Sequence, residues 1–192
     1  MSHRTAPAML ALLVTLSALA CSAGDSTSPE DKGIAQIRTL TDSYHDVNAA
    51  TTAGYAAWAP DPTVTGSTCP SDPALGQMGY HRVNIALRGG AADPASADPV
   101  VELTRPEMLL YEKTPSGTVQ LVGVEYIVFK AAWERAHGVG AAPPDILGHP
   151  LLASAHAFPG GTGNVEHYEL HVWVWKDNPS GMFAPYNPSV TC

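Results

Sequence analysis

Five of the eight histidines fall between His137 and His171, and His167-Tyr-Glu169-Leu-His171 is the sharpest chemical signal in the chain. Extended backbone turns alternate side chains to one face, so His167, Glu169 and His171 project together at steps of roughly 6.5–7 Å. Neighbours two apart can reach one metal ion, whereas the outer pair, about 13 Å apart, need a bend in the strand. Glu169 with His171, or with His167, is therefore a two-ligand arm. Imidazole plus carboxylate suits Zn, Fe, Mn or Cu, with geometry deciding among them.

Other segments supply residues that could complete such a site. His81 falls on the more apolar side of its strand pattern, where an imidazole needs a partner. Glu125 is a lone carboxylate in the apolar run Val122-Gly-Val-Glu-Tyr-Ile-Val128. A buried ionised carboxylate is costly unless paired, hydrogen-bonded or metal-bound. The expectation is that His81, Glu125 and His171 converge in one cavity, with Glu107 and Glu169 as supplementary carboxylates. A plainer reading stands beside it. Leu170, Val172 and Val174 form an apolar face that would be the core, leaving His167, Glu169 and His171 in solvent. Glu125 would then pair with Arg82, Arg88 or Arg105, and His137, His149 and His156 would lie at the surface of a loop.

The elements that must position these groups follow from periodicity. Ile34, Ile37, Leu40, Tyr44 and Val47 recur at spacings of three and four, which predicts an amphipathic helix of about 20 residues from Gly33, with Ser28 or Asp31 as cap. Gly79–Leu87 alternates as a strand. Glu107–Lys113 and Thr118–Phe129, joined through Thr114-Pro-Ser-Gly117, read as a β-hairpin. Ala141–Gly163 is Pro/Gly-rich and predicts a long loop, and Val165–Lys176 is the strongest strand signal. The fold class expected is α+β: an N-terminal helix packed on a mainly antiparallel, curved sheet, a sandwich or small barrel.

The first residues bear on compartment. A short start carrying Arg4, the apolar run Ala8–Ala20 and the small residues Ala18-Leu-Ala20 describe a secretory signal peptide, too short for a membrane span. Two processing routes meet at Cys21. Ordinary cleavage leaves it a free thiol, whereas lipoprotein processing makes it a lipidated N-terminus. Three cysteines leave one odd thiol in an oxidising compartment. Lipidation of Cys21 would free Cys69 and Cys192 to form a disulfide, which restricts the unfolded chain by about 4–5 kcal/mol. The organisation expected is a signal peptide at 1–20, a lipidated N-terminus and flexible tether at 21–32, and one globular domain at 33–192.

Net charge is −8, and −9 once Arg4 leaves with the signal, since nine basic residues then face 18 acids. So acidic a protein is a poor partner for nucleic acid or anionic lipid headgroups, and its membrane tie would be the lipid alone. Gly-x-Ser-x-Gly, His-Glu-x-x-His, Cys-x-x-Cys and phosphate-loop patterns are absent, which leaves hydrolase and redox-thiol readings without support.

Met78-Gly-Tyr-His-Arg-Val-Asn84, Arg105-Pro-Glu-Met-Leu-Leu-Tyr-Glu112, the Val122–Val128 run and His171-Val-Trp-Val-Trp-Lys-Asp-Asn-Pro-Ser-Gly-Met-Phe183 resemble blocks of a group of uncharacterised small secreted bacterial lipoproteins. That resemblance implies one exported domain and brings no activity, cofactor or catalytic residue. His and Glu on strands are also reminiscent of cupin-like metal barrels at the level of architecture, without the cupin motif. Two functions are therefore expected as alternatives. One is an envelope-tethered protein binding a metal or small polar ligand in a His/Glu-lined cavity. The other is a non-catalytic envelope module that grips a protein or glycan through exposed Trp58, Trp133, Trp173 and Trp175.

Overall fold

The computed structural model describes Met1, residues 28–158 and residues 161–192. The remainder of the signal segment, Cys21 and most of the tether lie outside the described residues. The chain is an α+β fold whose centre is one six-stranded, strongly curled antiparallel sheet. Its strands are β1 (Tyr55–Ala59), β2 (Tyr80–Asn84), β3 (Met108–Lys113), β4 (Val119–Phe129), β5 (Leu152–Ala157) and β6 (Asn164–Val172). They lie in the order β1-β2-β3-β4-β6-β5. The expected hairpin is β3–β4, turning through Thr114–Gly117.

Helix α1 (Pro29–Thr41) starts where chemistry favours a start. The Ser28 hydroxyl accepts the Asp31 N–H at 3.0 Å, Asp31 returns a bond to the Ser28 N–H, and Pro29 occupies the first turn, where no N–H is missed. The helix thus takes over Pro29–Lys32, which the sequence reading assigned to the tether. Nor does it run for 20 residues. A 3-10 turn, Asp42–His45, ends at Asp46, whose backbone leaves the helical region and whose carboxylate caps α2 (Val47–Thr52) through the Asn48 N–H at 2.8 Å. Most of the apolar period survives the break: Ile34 and Ile37 are buried, and Tyr44 and Val47 pack on the same core, but Leu40, expected on that stripe, is exposed.

Both faces of the sheet are covered. One face, with Leu109, Tyr111, Val124, Tyr126, Leu170 and Val172, packs beneath α1. Buried tyrosines there satisfy their hydroxyls on backbone carbonyls outside the sheet: Tyr111 on Tyr44 at 2.6 Å and Tyr126 on Leu103 at 2.7 Å. The other face carries Val83, Met108, Ile127, Phe129 and Val165 with Ala132 of α3 (Lys130–His137). This double burial corrects the plainer reading of the last strand. Leu170 and Val172 do face a core, yet His167, Glu169 and His171 are buried too.

Three further expectations are corrected. The strand at Gly79 stops at Asn84, whose side chain caps the helical turn Ile85–Arg88 and leaves Ile85 exposed. The last strand ends at Val172, where Trp173 donates its backbone N–H to Met182. The 141–163 segment is not one loop: Asp145–Ile146 pairs with His149–Pro150, and β5 forms the sheet edge. Cys69 and Cys192 are disulfide-bonded with Cα atoms 5.8 Å apart, pinning the last residue to the body.

Candidate metal centre

His81 comes from β2, Glu125 from β4 and His171 from β6. Glu125 and His171 are direct cross-strand partners, and Met108 opposes Glu125 from β3. His81 reaches the pair from across β3. One ligand atom of each of the three lies within 4.8 Å of the others, so the group could hold a metal ion. Nε2 of His81 is 3.2 Å from Oε2 of Glu125 and 3.4 Å from Nε2 of His171. Neither contact satisfies the site. Oε2 of Glu125 and Nδ1 of His171 are fully buried with no hydrogen-bond partner, a costly state that a cation would relieve at the carboxylate.

Burial sets the charge state of the three. It pulls His81 down to about 3, helped by the adjacent His171, and pulls His171 down to about 4. It pushes Glu125 well above the usual carboxylate range, with the charges of Glu169 and Glu107 adding to the effect. Both imidazoles are therefore neutral, as ligands must be, and the carboxyl keeps its proton until something positive replaces it.

Glu169 joins a different group. Its Oε2 is 3.0 Å from Nε2 of His167 and 3.6 Å from Nε2 of His156, and these three also lie within 4.8 Å of one another. Burial acts to raise Glu169, but hydrogen bonds with His156 and His167 and the nearby imidazole of His171 outweigh it and hold the carboxyl well below its usual range. The bond to Glu169 raises His156 in turn. His156 is the residue that sequence reasoning missed, having placed it at a loop surface. The available signal was the period-two run Leu152, Ser154, His156, short and at an edge, which puts His156 across from Val165 and beside the buried face of β6.

Glu107 belongs to neither group. It precedes β3, accepts the Ile127 N–H at 3.0 Å, and is pushed up to about 8 by burial. None of the three arginines proposed as partners forms an ion pair with Glu125 among the described residues. Arg82 stacks on Trp58 and bonds Thr51, Arg105 pairs with Asp98, and Arg88 lies over the rings of Phe129 and Phe158. The tryptophans are not exposed anchors. Trp173 is buried and donates to Ala184, Trp175 donates to Thr41, Trp133 donates to Ala142, and Trp58 packs between Arg82 and Tyr111. Of the remaining imidazoles, His149 stacks on Phe183 beside Glu30, and His137 packs on Trp133.

His81, Glu125, His171, His156 and Glu169 all line one cavity of about 650 Å³. Its other walls are largely apolar, with Pro60, Pro70, Met78, Met108 and Phe158 among them. Polar groups gathered at one place in a mostly apolar hollow are the usual form of a small-molecule or metal site. Comparison with protein-family models, with curated proteins and with solved structures gives no match. The chemistry of this cavity therefore has to be read from its own atoms. No helix among the described residues is long and apolar enough to cross a membrane.

Proposed function

We propose that this chain is an exported, envelope-tethered protein that binds a divalent transition metal through His81, Glu125 and His171 and presents it to a small molecule in the cavity. The observation that carries this reading is the burial of three ligand groups at mutual contact, with the Glu125 oxygen and a His171 nitrogen left unpartnered. Two imidazoles and a carboxylate are a donor set for Zn, Fe, Mn or Cu, and three protein ligands leave coordination positions open, as at catalytic rather than structural sites. An ion held this way supplies Lewis acidity and acidifies bound water. The chain's own contribution is neutral imidazoles, a carboxylate ready to ionise, and apolar walls that limit water. Export is supported by the signal-like 1–20 segment, and lipidation of Cys21 by the pairing of the other two cysteines, which leaves it the odd one.

The test is metal analysis of protein purified without chelator, followed by melting with added Zn, Cu, Mn or Fe. Bound metal, and a raised melting temperature that Glu125→Gln and His171→Gln diminish, is the expected result. A metal-free chain whose melting is indifferent to all four ions rejects the reading.

A further inference from the structure

We propose that the cavity holds a second divalent-cation site, built by His156, His167 and Glu169, adjoining the first. It deepens the reading above by making the cavity a two-metal site, but its own three residues carry it.

The argument is one of protons. Nδ1 of His167 lies 2.7 Å from the Val165 carbonyl, and Nδ1 of His156 lies 3.3 Å from the Ala157 carbonyl. A carbonyl oxygen only accepts, so each Nδ1 carries the hydrogen. In a neutral ring the other nitrogen is then a bare lone pair. Both Nε2 atoms nevertheless face one oxygen of Glu169, at 3.0 and 3.6 Å. With both rings neutral, three acceptors point at one another with no hydrogen among them, an arrangement that needs positive charge at its centre; the hydrogen bonds that hold Glu169 low form only when the Nε2 atoms carry protons. Protonating both rings supplies it only by setting two positive rings against each other, their centroids 4.4 Å apart. A metal ion answers all three lone pairs at once. The Nδ1 bonds to backbone carbonyls are also the outer-shell support that metal-binding histidines use.

Spacing agrees. Ligands bound tetrahedrally at about 2.0–2.1 Å sit about 3.3 Å from one another. The ring-to-carboxylate separations of 3.0 and 3.6 Å bracket that value, so little has to move. The two groups are neighbours because Glu169 and His171 are successive residues on one face of β6, roughly 6.5–7 Å apart.

Metal-free full-length protein titrated with Zn²⁺, and read by calorimetry and native mass spectrometry, tests this. The expected stoichiometry is two, falling to one in His156→Ala, and to one in His171→Gln by loss of the other ion. His156 is half exposed on an edge strand, so its truncation should spare the fold; His167→Gln serves as the buried counterpart, with its fold checked by circular dichroism. A single ion lost with His171→Gln but kept by His156→Ala overturns the second site and leaves the first standing. A single ion with the reverse pattern leaves the second and overturns the first. No bound ion overturns both. With Cu²⁺ in both sites, dipolar broadening of the electron paramagnetic resonance signal is expected, and its absence at a stoichiometry of two rejects the adjacency.

Discussion

Glu125 and His171 face each other directly across the β4–β6 ladder, two fully buried titratable groups in a register position otherwise suited to an apolar pair. Directly opposed side chains start about 4.5–5.5 Å apart at Cβ, so the backbone alone brings this imidazole and carboxylate within reach of one ion. His81 is in register with Gly123 through Leu110, so it starts two strand spacings, about 9–10 Å, across and two residues along from Glu125, and closes on it over β3. The curl of the sheet makes that convergence possible.

The uncompensated carboxyl implies a trade between stability and binding. Because burial keeps Glu125 protonated in the metal-free chain, Glu125→Gln resembles its resting state and should leave melting at pH 4 unchanged. At pH 7 the variant should melt higher than the wild type, since the unfolded wild-type chain ionises this carboxyl above 4.5 and the variant has no proton to lose. Zn²⁺ affinity should fall by more than about 100-fold, beyond what loss of an outer-shell partner costs. Melting curves at the two pH values and a Zn²⁺ titration check all three. Equal affinity in the variant removes Glu125 from the ligand set.

Binding at the first site should also release a proton. His81 and His171, near 3 and 4, are neutral throughout the working range and do not compete. Glu125 must give up its proton to bind, so affinity should rise with pH, by up to about tenfold per unit below its raised value. Calorimetry in buffers of different ionisation enthalpy measures the release. A pH-independent affinity between 6 and 8 contradicts this assignment.

Much of this site was legible in the sequence, because buried charge is conspicuous. Glu125 interrupts an apolar run on a strand with no polar face to use, and His81 and His171 lie in strands whose alternation is plain. What failed was inference about context. The 141–163 segment looked like loop because Pro and Gly dominate it, yet pairing with β6 imposes β5 on Leu152–Ala157 and delivers His156 to the cavity. Tertiary pairing outweighed local propensity there. The reverse happened at Asp46, where a local side-chain cap divided a helix that apolar period alone would have continued. The four tryptophans misled for a third reason: each finds a hydrogen-bond or stacking partner in another segment of the chain, which composition cannot show.

Glu107 gives a pH effect on stability whose sign is fixed. The folded chain keeps this proton up to about 8, whereas the ordinary value is 4.5. Between those values unfolding releases a proton, so this contribution falls as pH rises through the window and is level outside it. Glu107→Gln preserves an oxygen for the Ile127 N–H and should flatten the profile. The wild-type minus variant difference should shift by on the order of a few kcal/mol from pH 5 to 8. Denaturant unfolding at both values reads it, and parallel profiles would show that Glu107 titrates normally.

Gly123 is the position where sheet and site are most tightly joined. It lies in β4 two residues before Glu125 and opposes Leu110 near an irregularity in the β3–β4 register. A methyl group there would come to 2.6 Å from the Val172 carbonyl oxygen and 3.3 Å from Cα of Trp173. Those are backbone atoms with no rotamer by which to yield, so β4 would have to move away from β6. Gly123→Ala should therefore cost about 1–3 kcal/mol, the usual range for overpacking. The displacement acts on the ladder that holds Glu125 against His171, so Zn²⁺ affinity should fall as well, although no ligand is altered. Gly117→Ala provides a control: it also changes a glycine, but in the open β3–β4 turn with nothing within 4 Å, and should lose stability through its positive φ while binding Zn²⁺ normally. If Gly123→Ala binds metal as tightly as the wild type, the close approach of these two strands is not what sets the geometry of the site.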